Sequence, residues 1–340
     1  MKIGTHDTDE KVFIIAELSA NHNQNFELAR KAVLVAYEAG CDAIKLQTYT
    51  ADSLTLDIKD EKFKAGDLWS DEYLYDLYKR ACMPYEWHKP LKKYADELGI
   101  ILFSSPFDID AVDVLEEINV PAYKIASFEI TDIPLIKYAA STQKPIIIST
   151  GVADIEDIEL AIATCKSVSN NNIVLLKCTS AYPAKPESMN LLTIQDMKNR
   201  FSTEVGLSDH ALGNDAVIAS VALGARVIEK HFTPDETIDT PDGAFSLSPK
   251  QLKSMVQSVR NVEKMLGSVK YDDKSKAYAR SLYVSRDIRK GEKFTNENIK
   301  SIRPGDGLHP KYYDKVLGKI AATNIKAGTP LKFDFLNELP

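Results

Sequence analysis

The sequence predicts an α/β protein: a (β/α)8 barrel of the TIM type, followed by a small C-terminal domain. Three observations carry this. Eight short, β-branched apolar runs recur about every thirty residues, the size of a βα unit. Helix-like stretches lie between them, and alternating strands and helices imply a parallel sheet that eight units can close. After about residue 270 the thirty-residue rhythm stops and short, turn-rich pieces take over.

The runs are VFIIAEL at 12–18, AIKLQT at 43–48, IILFSS at 100–105 and AYKIAS at 122–127. PIIIST at 145–150, IVLLKCTS at 173–180, TEVGLSDH at 203–210 and ARVIEKHF at 225–232 complete the set. Between the first two, NFELARKAVLVAYEAG puts Leu28, Ala29, Ala32, Val33 and Ala36 on one helical face and stops at Gly40. ADIEDIELAIATCKSV opens with an acidic first turn that suits the helix dipole. GNDAVIASVALGA and SPKQLKSMVQSVRNVEKML behave alike. An open doubly wound sheet would want a Gly-rich turn after an early strand, and IAELSANHNQ is not one.

Residues 49–82 form a long insertion with Trp69, Tyr73, Tyr75 and Tyr78 at partly helical spacing. It reads either as a lid over the barrel mouth or as a helix docked on the barrel. The expected division is a barrel at 1–270, a polar linker at 271–281 and a compact domain at 282–340. Inside the last, DIRKGEKFT and NIKAGTPL resemble each other. A unit that small has a marginal core.

Composition narrows the function. The chain has 340 residues, 44% hydrophobic and 27% charged, with a net charge of −7. That argues against a nucleic-acid binder, which needs a basic face. It leaves room for a small anionic substrate in a local pocket. Residues 280–340 carry +5 and the remainder −12, which suggests two units that attract each other. Cys41, Cys82, Cys165 and Cys178 form no CxxC pair, so a reduced cytoplasm is expected. The N-terminus turns polar at once, and no apolar run approaches the ~20 residues of a membrane span.

Residues at the C-terminal ends of barrel strands face the active site. Glu17 ends the first run, with Asn21 and His22 beyond it. Lys45 and Gln47 share a face of the second, and Ser104 and Ser105 end the third. Lys124, Ser127 and Glu129 follow the fourth. Ser149, Thr150 and Gly151 end the fifth, and Lys177, Thr179, Ser180 and Tyr182 follow the sixth. Ser208, Asp209 and His210 end the seventh, and Glu229, Lys230 and His231 the eighth. A polar ring repeated over eight strand ends predicts an enzyme. His210 and His231 end consecutive strands, and strands lie ~4.8 Å apart, so both imidazoles reach one divalent ion. Two separately hydrogen-bonded histidines are the alternative. His22 is a further pocket candidate, while His6, His88 and His309 read as surface or hinge residues. Lys45, Lys124 and the hydroxyl cluster suit a phosphate and a carboxylate. Lys177 or Lys124 offers a competing mechanism as a Schiff-base aldolase nucleophile needing no metal.

Taken together, IAELSANHNQ, AIKLQTYT, FSSPF, YKIAS, ISTG, KCTSAYP, VGLSDH, GARVIEKHF and TPDGAFSL resemble the sialic acid synthase family. ARSLY, RKGEKFT, RPGDGLHP and GKIAATNIKAGTPL extend the resemblance through the C-terminal domain, so it covers nearly the whole chain. It implies a barrel followed by an antifreeze-like (SAF) domain, in a domain-swapped homodimer. The implied reaction condenses phosphoenolpyruvate with an open-chain N-acylated amino sugar, releasing phosphate and a nine-carbon 2-keto sugar acid. AELSANH, Ser180 and PDGAFSL are most similar to the branch that uses a 6-deoxy diacetamido sugar. Sialic or legionaminic precursors are the alternatives.

The resemblance also implies roles. His210 and His231 would hold Mn²⁺ or Mg²⁺ and so polarise the sugar aldehyde. Lys45, Lys124, Ser127, Ser149 and Ser208 would hold phosphoenolpyruvate. Ser180 stands where the family usually has Asn, which leaves that contact in doubt. Glu17, Gln47, Tyr182 and Asp242 would line the sugar side, with Glu17 managing a proton. Arg303 would reach a partner's pocket and bind the sugar's acyl group.

Overall fold

The computed structural model describes residues 1–66, 69–271 and 276–337. Asp67 and Leu68 in the insertion, 272–275 in the expected linker and the last three residues lie outside the described residues. The chain divides into two compact units, Met1–Gly267 and Ser268–Pro340.

The first unit opens with a short antiparallel hairpin, β1 (Lys2–Ile3) and β2 (His6–Asp7), which the sequence reading did not anticipate. Eight parallel strands follow. They are β3 (Phe13–Glu17), β4 (Ala43–Thr48), β5 (Ile101–Pro106), β6 (Tyr123–Ile125), β7 (Ile146–Ser149), β8 (Ile173–Cys178), β9 (Glu204–Asp209) and β10 (Val227–His231). They pair in sequence order, and β10 returns to β3, so the barrel is closed. Each strand lies within its expected run except β5, which extends one residue past it to Pro106. Closure registers His231 against Glu17 and Lys230 against Asp209. That brings the first strand beside β10, which ends in His231.

Local chemistry explains why the helices start and stop where they do. In helix Phe26–Ala39 the Asn25 side chain caps Leu28 N–H, and Gly40 ends it at φ +83°. Its buried face holds Leu28, Ala29, Ala32, Val33 and Ala36, as the periodicity predicts. Helices Ile155–Ser167 and Pro249–Leu266 open with capping boxes, Asp154 with Asp157 and Ser248 with Gln251. Gly206 permits the close approach of β9 to β10, because a Cβ there would sit 2.1 Å from the Val227 carbonyl oxygen.

The second unit has its own small core, which includes Leu282, Val284, Ile288, Phe294, Ile299 and Leu331. Strands β11 (Ser281–Val284) and β12 (Ile299–Ile302) pair antiparallel. The two look-alike segments pair with each other, Ile288 and Ile325 exchanging both backbone hydrogen bonds. No helix among the described residues is long and apolar enough to cross a membrane.

Candidate active site

Eleven of the thirteen expected site residues line one cavity of about 550 Å³ in the first unit. They are Glu17, Lys45, Gln47, Lys124, Ser127, Ser149, Tyr182, Ser208, His210, His231 and Asp242. The strand ends place them there: alternation along each strand turns every second side chain inward.

The floor is a buried mesh of opposite charges. Lys45 Nζ lies 2.9 Å from Glu17 and 3.6 Å from Glu229, and Lys124 Nζ lies 3.5 Å from Glu229. Gln47 donates to Glu17 Oε1 at 2.9 Å and Ser208 to Glu229 Oε1 at 2.9 Å, which fixes both carboxylates. Burial, reinforced by Glu229 against the pull of Lys45, raises the Glu17 pKa to about 7. Burial also raises Glu129 to about 7. Burial lowers the Lys124 pKa, and Glu229 only partly restores it. For Glu229 itself, Lys124 and Lys45 outweigh burial and hold the pKa low.

This mesh leaves acceptors unused. Glu17 Oε2, Glu129 Oε2, Ser149 Oγ, Glu229 Oε2 and His231 Nδ1 are buried without a hydrogen-bond partner; among the described residues the one other such atom, Thr203 Oγ1, lies away from the cavity before β9. Glu17 Oε2 is close enough to Lys45 for an ion pair, yet off the hydrogen-bond line. Buried unpaired polar atoms are costly, so their clustering marks a place built for a ligand.

The two imidazoles sit together at one side, with ring centroids 5.1 Å apart. His210 Nδ1 donates to the Thr179 carbonyl at 3.0 Å, which leaves Nε2 as the acceptor nitrogen of that ring. His231 Nδ1 lies 3.8 Å from Asp242, and burial followed by the neighbouring His210 pushes the His231 pKa well down. Burial works against charge on His210, but Cys178 and the Thr179 carbonyl outweigh it and raise that pKa. His231, pushed toward the neutral form and with its Nδ1 unpartnered, is the ring that best fits a divalent ion, and binding a cation on His210 would displace its proton. Among the described residues no three His, Cys, Asp or Glu side chains form a ready ligand group, so such an ion would keep open positions.

The insertion supplies the opposite wall. Leu54, Ala65, Trp69, Leu74, Leu77 and Tyr78 all face the cavity. Trp69 donates to the Pro241 carbonyl at 3.2 Å, and its ring lies tilted against Tyr182 with centroids 5.9 Å apart. Tyr75 instead bonds Asp52. Phe245 is buried against Tyr182, His210 and His231, so it is both core and cavity wall.

Several residues differ from expectation. Ser180 is half-buried beside Gly151 and Cys178 and does not line the cavity. Arg303 is exposed on the second unit, just past β12. Lys177 lies on the outward side of β8, its Nζ bonded to the Cys178 carbonyl and Thr179 Oγ1. The Schiff-base role at Lys177 is therefore withdrawn, because that amine does not share the cavity. His22 does not line the cavity either; its Nδ1 accepts from Gln24 N–H, and burial lowers its pKa to about 4. His6 and His88 are not surface residues: His6 packs on Phe13 beside Asp42, and His88 is fully buried against Thr48. His309 is exposed, as expected.

Glu129, Glu229 and Cys178 also line the cavity; the first two stand in the strand-end polar ring without an assigned role, and Cys178 stands outside it. Glu229 was detectable, because it stands two before His231 on one strand and so shares its face.

These features define a barrel enzyme with a buried, charged floor, and the chain belongs to the NeuB family, whose model matches residues 32–271. The SAF domain model matches residues 279–337. Among relatives, the chain is 49% identical to pseudaminic acid synthase of Campylobacter jejuni over 98% of both chains. It is 47% identical to pseudaminic acid synthase of Helicobacter pylori, covering 94% of this chain and 96% of that one. Among solved structures, it resembles the spore coat polysaccharide biosynthesis protein SpsE of Bacillus subtilis, with a TM-score of 0.68 and 34% identity. That match covers 100% of this chain and 99% of the other.

Proposed function

We propose that this chain makes pseudaminic acid by condensing phosphoenolpyruvate with 2,4-diacetamido-2,4,6-trideoxy-L-altrose. One observation carries the chemistry: two buried lysines and three serine hydroxyls share a single cavity with a histidine pair. The near-full-length identity to synthases of that acid supports the choice of sugar.

Lys45 and Lys124, with Ser127, Ser149 and Ser208, hold the carboxylate and phosphate of phosphoenolpyruvate. Tyr182, Gln47 and Asp242 line the sugar side. A divalent ion, Mn²⁺ or Mg²⁺, on His210 and His231 would supply polarisation of the sugar's aldehyde carbonyl. C3 of phosphoenolpyruvate attacks that carbon, water captures the cationic C2, and the tetrahedral centre expels phosphate by C–O cleavage. Glu17, oriented by Gln47 and with its pKa raised to about 7, manages a proton of the aldehyde oxygen or the water near neutral pH. The apolar wall from the insertion excludes bulk water and suits the methyl groups of a 6-deoxy diacetamido sugar.

We further propose that the functional modules are 1–270, 271–281 and 282–340. The enzyme acts as a cytoplasmic, domain-swapped homodimer in which Arg303 binds the acyl group of a sugar in a partner's cavity. Four free cysteines fit a reducing compartment.

Phosphoenolpyruvate labelled with ¹⁸O at the bridging position tests the bond cleaved. The label should leave in the phosphate; label retained in the sugar acid would contradict C–O cleavage.

A further inference from the structure

We infer that the buried ion pair Asp209–Lys230 is a positioning clamp that sets the geometry of His210 and His231. Each member immediately precedes one of the histidines, and the two are register partners across β9 and β10. Alternation points them away from the cavity while the histidines point in. Their side chains are 0% exposed, and Lys230 Nζ lies 2.6 Å from Asp209 Oδ2.

The pair also grips the chain just past the first histidine. Asp209 Oδ1 accepts from Ala211 N–H at 2.9 Å, and Lys230 Nζ donates to the Ala211 carbonyl. These bonds bracket His210 from both sides and tie it to the residue before His231. The outward positions lower on the same strands are Val205, Leu207 and Ile228, all fully buried and apolar. The pattern changes to charge only at the level of the histidines. Two adjacent strands already joined by backbone bonds need no ion pair for cohesion, and a buried pair seldom stabilises more than packed apolar side chains. Directional bonds are what Asp209 and Lys230 add: they fix the angle at which each imidazole enters the cavity.

The inference rests on the reading that His210 and His231 hold a divalent ion. The test is the full-length double variant Asp209→Leu with Lys230→Met, which removes both charges and fills the space. Mn²⁺ affinity is measured by calorimetry, alongside thermal melting and the KM for phosphoenolpyruvate. Mn²⁺ binding should weaken by about 10- to 100-fold. Melting temperature should hold or rise, and the phosphoenolpyruvate KM should stay near the unaltered value. A folded double variant with unaltered Mn²⁺ affinity overturns the clamp. So does a uniform decline, in which melting temperature and Mn²⁺ affinity fall while the substrate KM rises. If the double variant does not fold, Asp209→Asn reads the same quantity. It keeps an acceptor for Ala211 N–H and loses the charge; weakened Mn²⁺ binding supports the clamp and unaltered binding overturns it. An unaltered protein that binds no Mn²⁺ refutes the two-histidine reading, and the clamp with it, in a measurement made without any variant.

Discussion

The barrel carries a buried charge cluster at each end, and the two are built differently. At the N-terminal end Asp42 accepts from Ile14 N–H at 2.9 Å, from Lys11 at 2.9 Å and from Arg260, with His6 at 3.5 Å. Arg260 in turn bonds the Val12 carbonyl and Glu263. No side-chain atom of that cluster is buried without a partner. At the C-terminal end Glu17, Lys45, Lys124 and Glu229 are buried more deeply than Asp42 and Arg260, yet Glu17, Glu229, Ser149 and His231 keep unpartnered atoms. A saturated cluster closes the base of the barrel. An unsaturated one stores unfavourable free energy that a bound anion and metal ion would relieve. The general division of barrel ends into stability and catalysis thus appears here as a difference in hydrogen-bond satisfaction.

The largest expected break in this contrast is removal of the divalent ion. Thorough chelation should abolish turnover and added Mn²⁺ should restore it, while melting shifts little. Full activity after chelation would rule out the two-histidine site. Next comes Glu17→Gln, which keeps the shape at the upper cluster and removes the titrating group. It should lower kcat by roughly 10²–10⁴-fold with phosphoenolpyruvate still bound. An unchanged kcat would show that Glu17 handles no proton.

The lower cluster should respond in the opposite way. Asp42→Ala leaves Ile14 N–H and one Arg260 nitrogen without their acceptor and should cost about 1–3 kcal/mol of stability, read by denaturant melts, with kcat per folded molecule unchanged. A smaller effect appears in acid. Burial works against the Asp42 carboxylate, but His6, Arg260, Lys11 and Ile14 N–H hold its pKa at about 2. A depressed folded pKa contributes stability that is present above the unfolded value near 4. It is lost as pH falls through 2. The loss across that window should be roughly 2 kcal/mol, and Asp42→Asn should flatten it. An equally steep acid profile in the variant would place the dependence elsewhere.

Much of the upper cluster was legible because a strand's period of two and a barrel's polarity are simple rules. Once AIKLQT and ARVIEKHF are strands, Lys45 must face with Gln47, and Glu229 with His231. Which of the two faces points inward is harder to read from one strand. Lys177 and Cys178 show this: the reactive-looking amine points out, and the thiol lines the cavity. Burial of lone histidines is likewise set by distant packing. His88 meets Thr48, forty residues away, and His6 meets Asp42. No local pattern encodes those contacts. The insertion was legible as an outlier in length, and the direction its aromatics face depends on the tertiary fold. Trp69 finds Pro241 and Tyr182 across the cavity mouth.

The central claim is that the upper cluster joins phosphoenolpyruvate to a 6-deoxy diacetamido sugar. Purified protein with Mn²⁺ and phosphoenolpyruvate is offered that sugar, N-acetylmannosamine and the legionaminic precursor in parallel, and phosphate release is followed. The account predicts release with 2,4-diacetamido-2,4,6-trideoxy-L-altrose, together with a product of pseudaminic acid's mass. Release with another sugar in preference, or with none of the three, would contradict it.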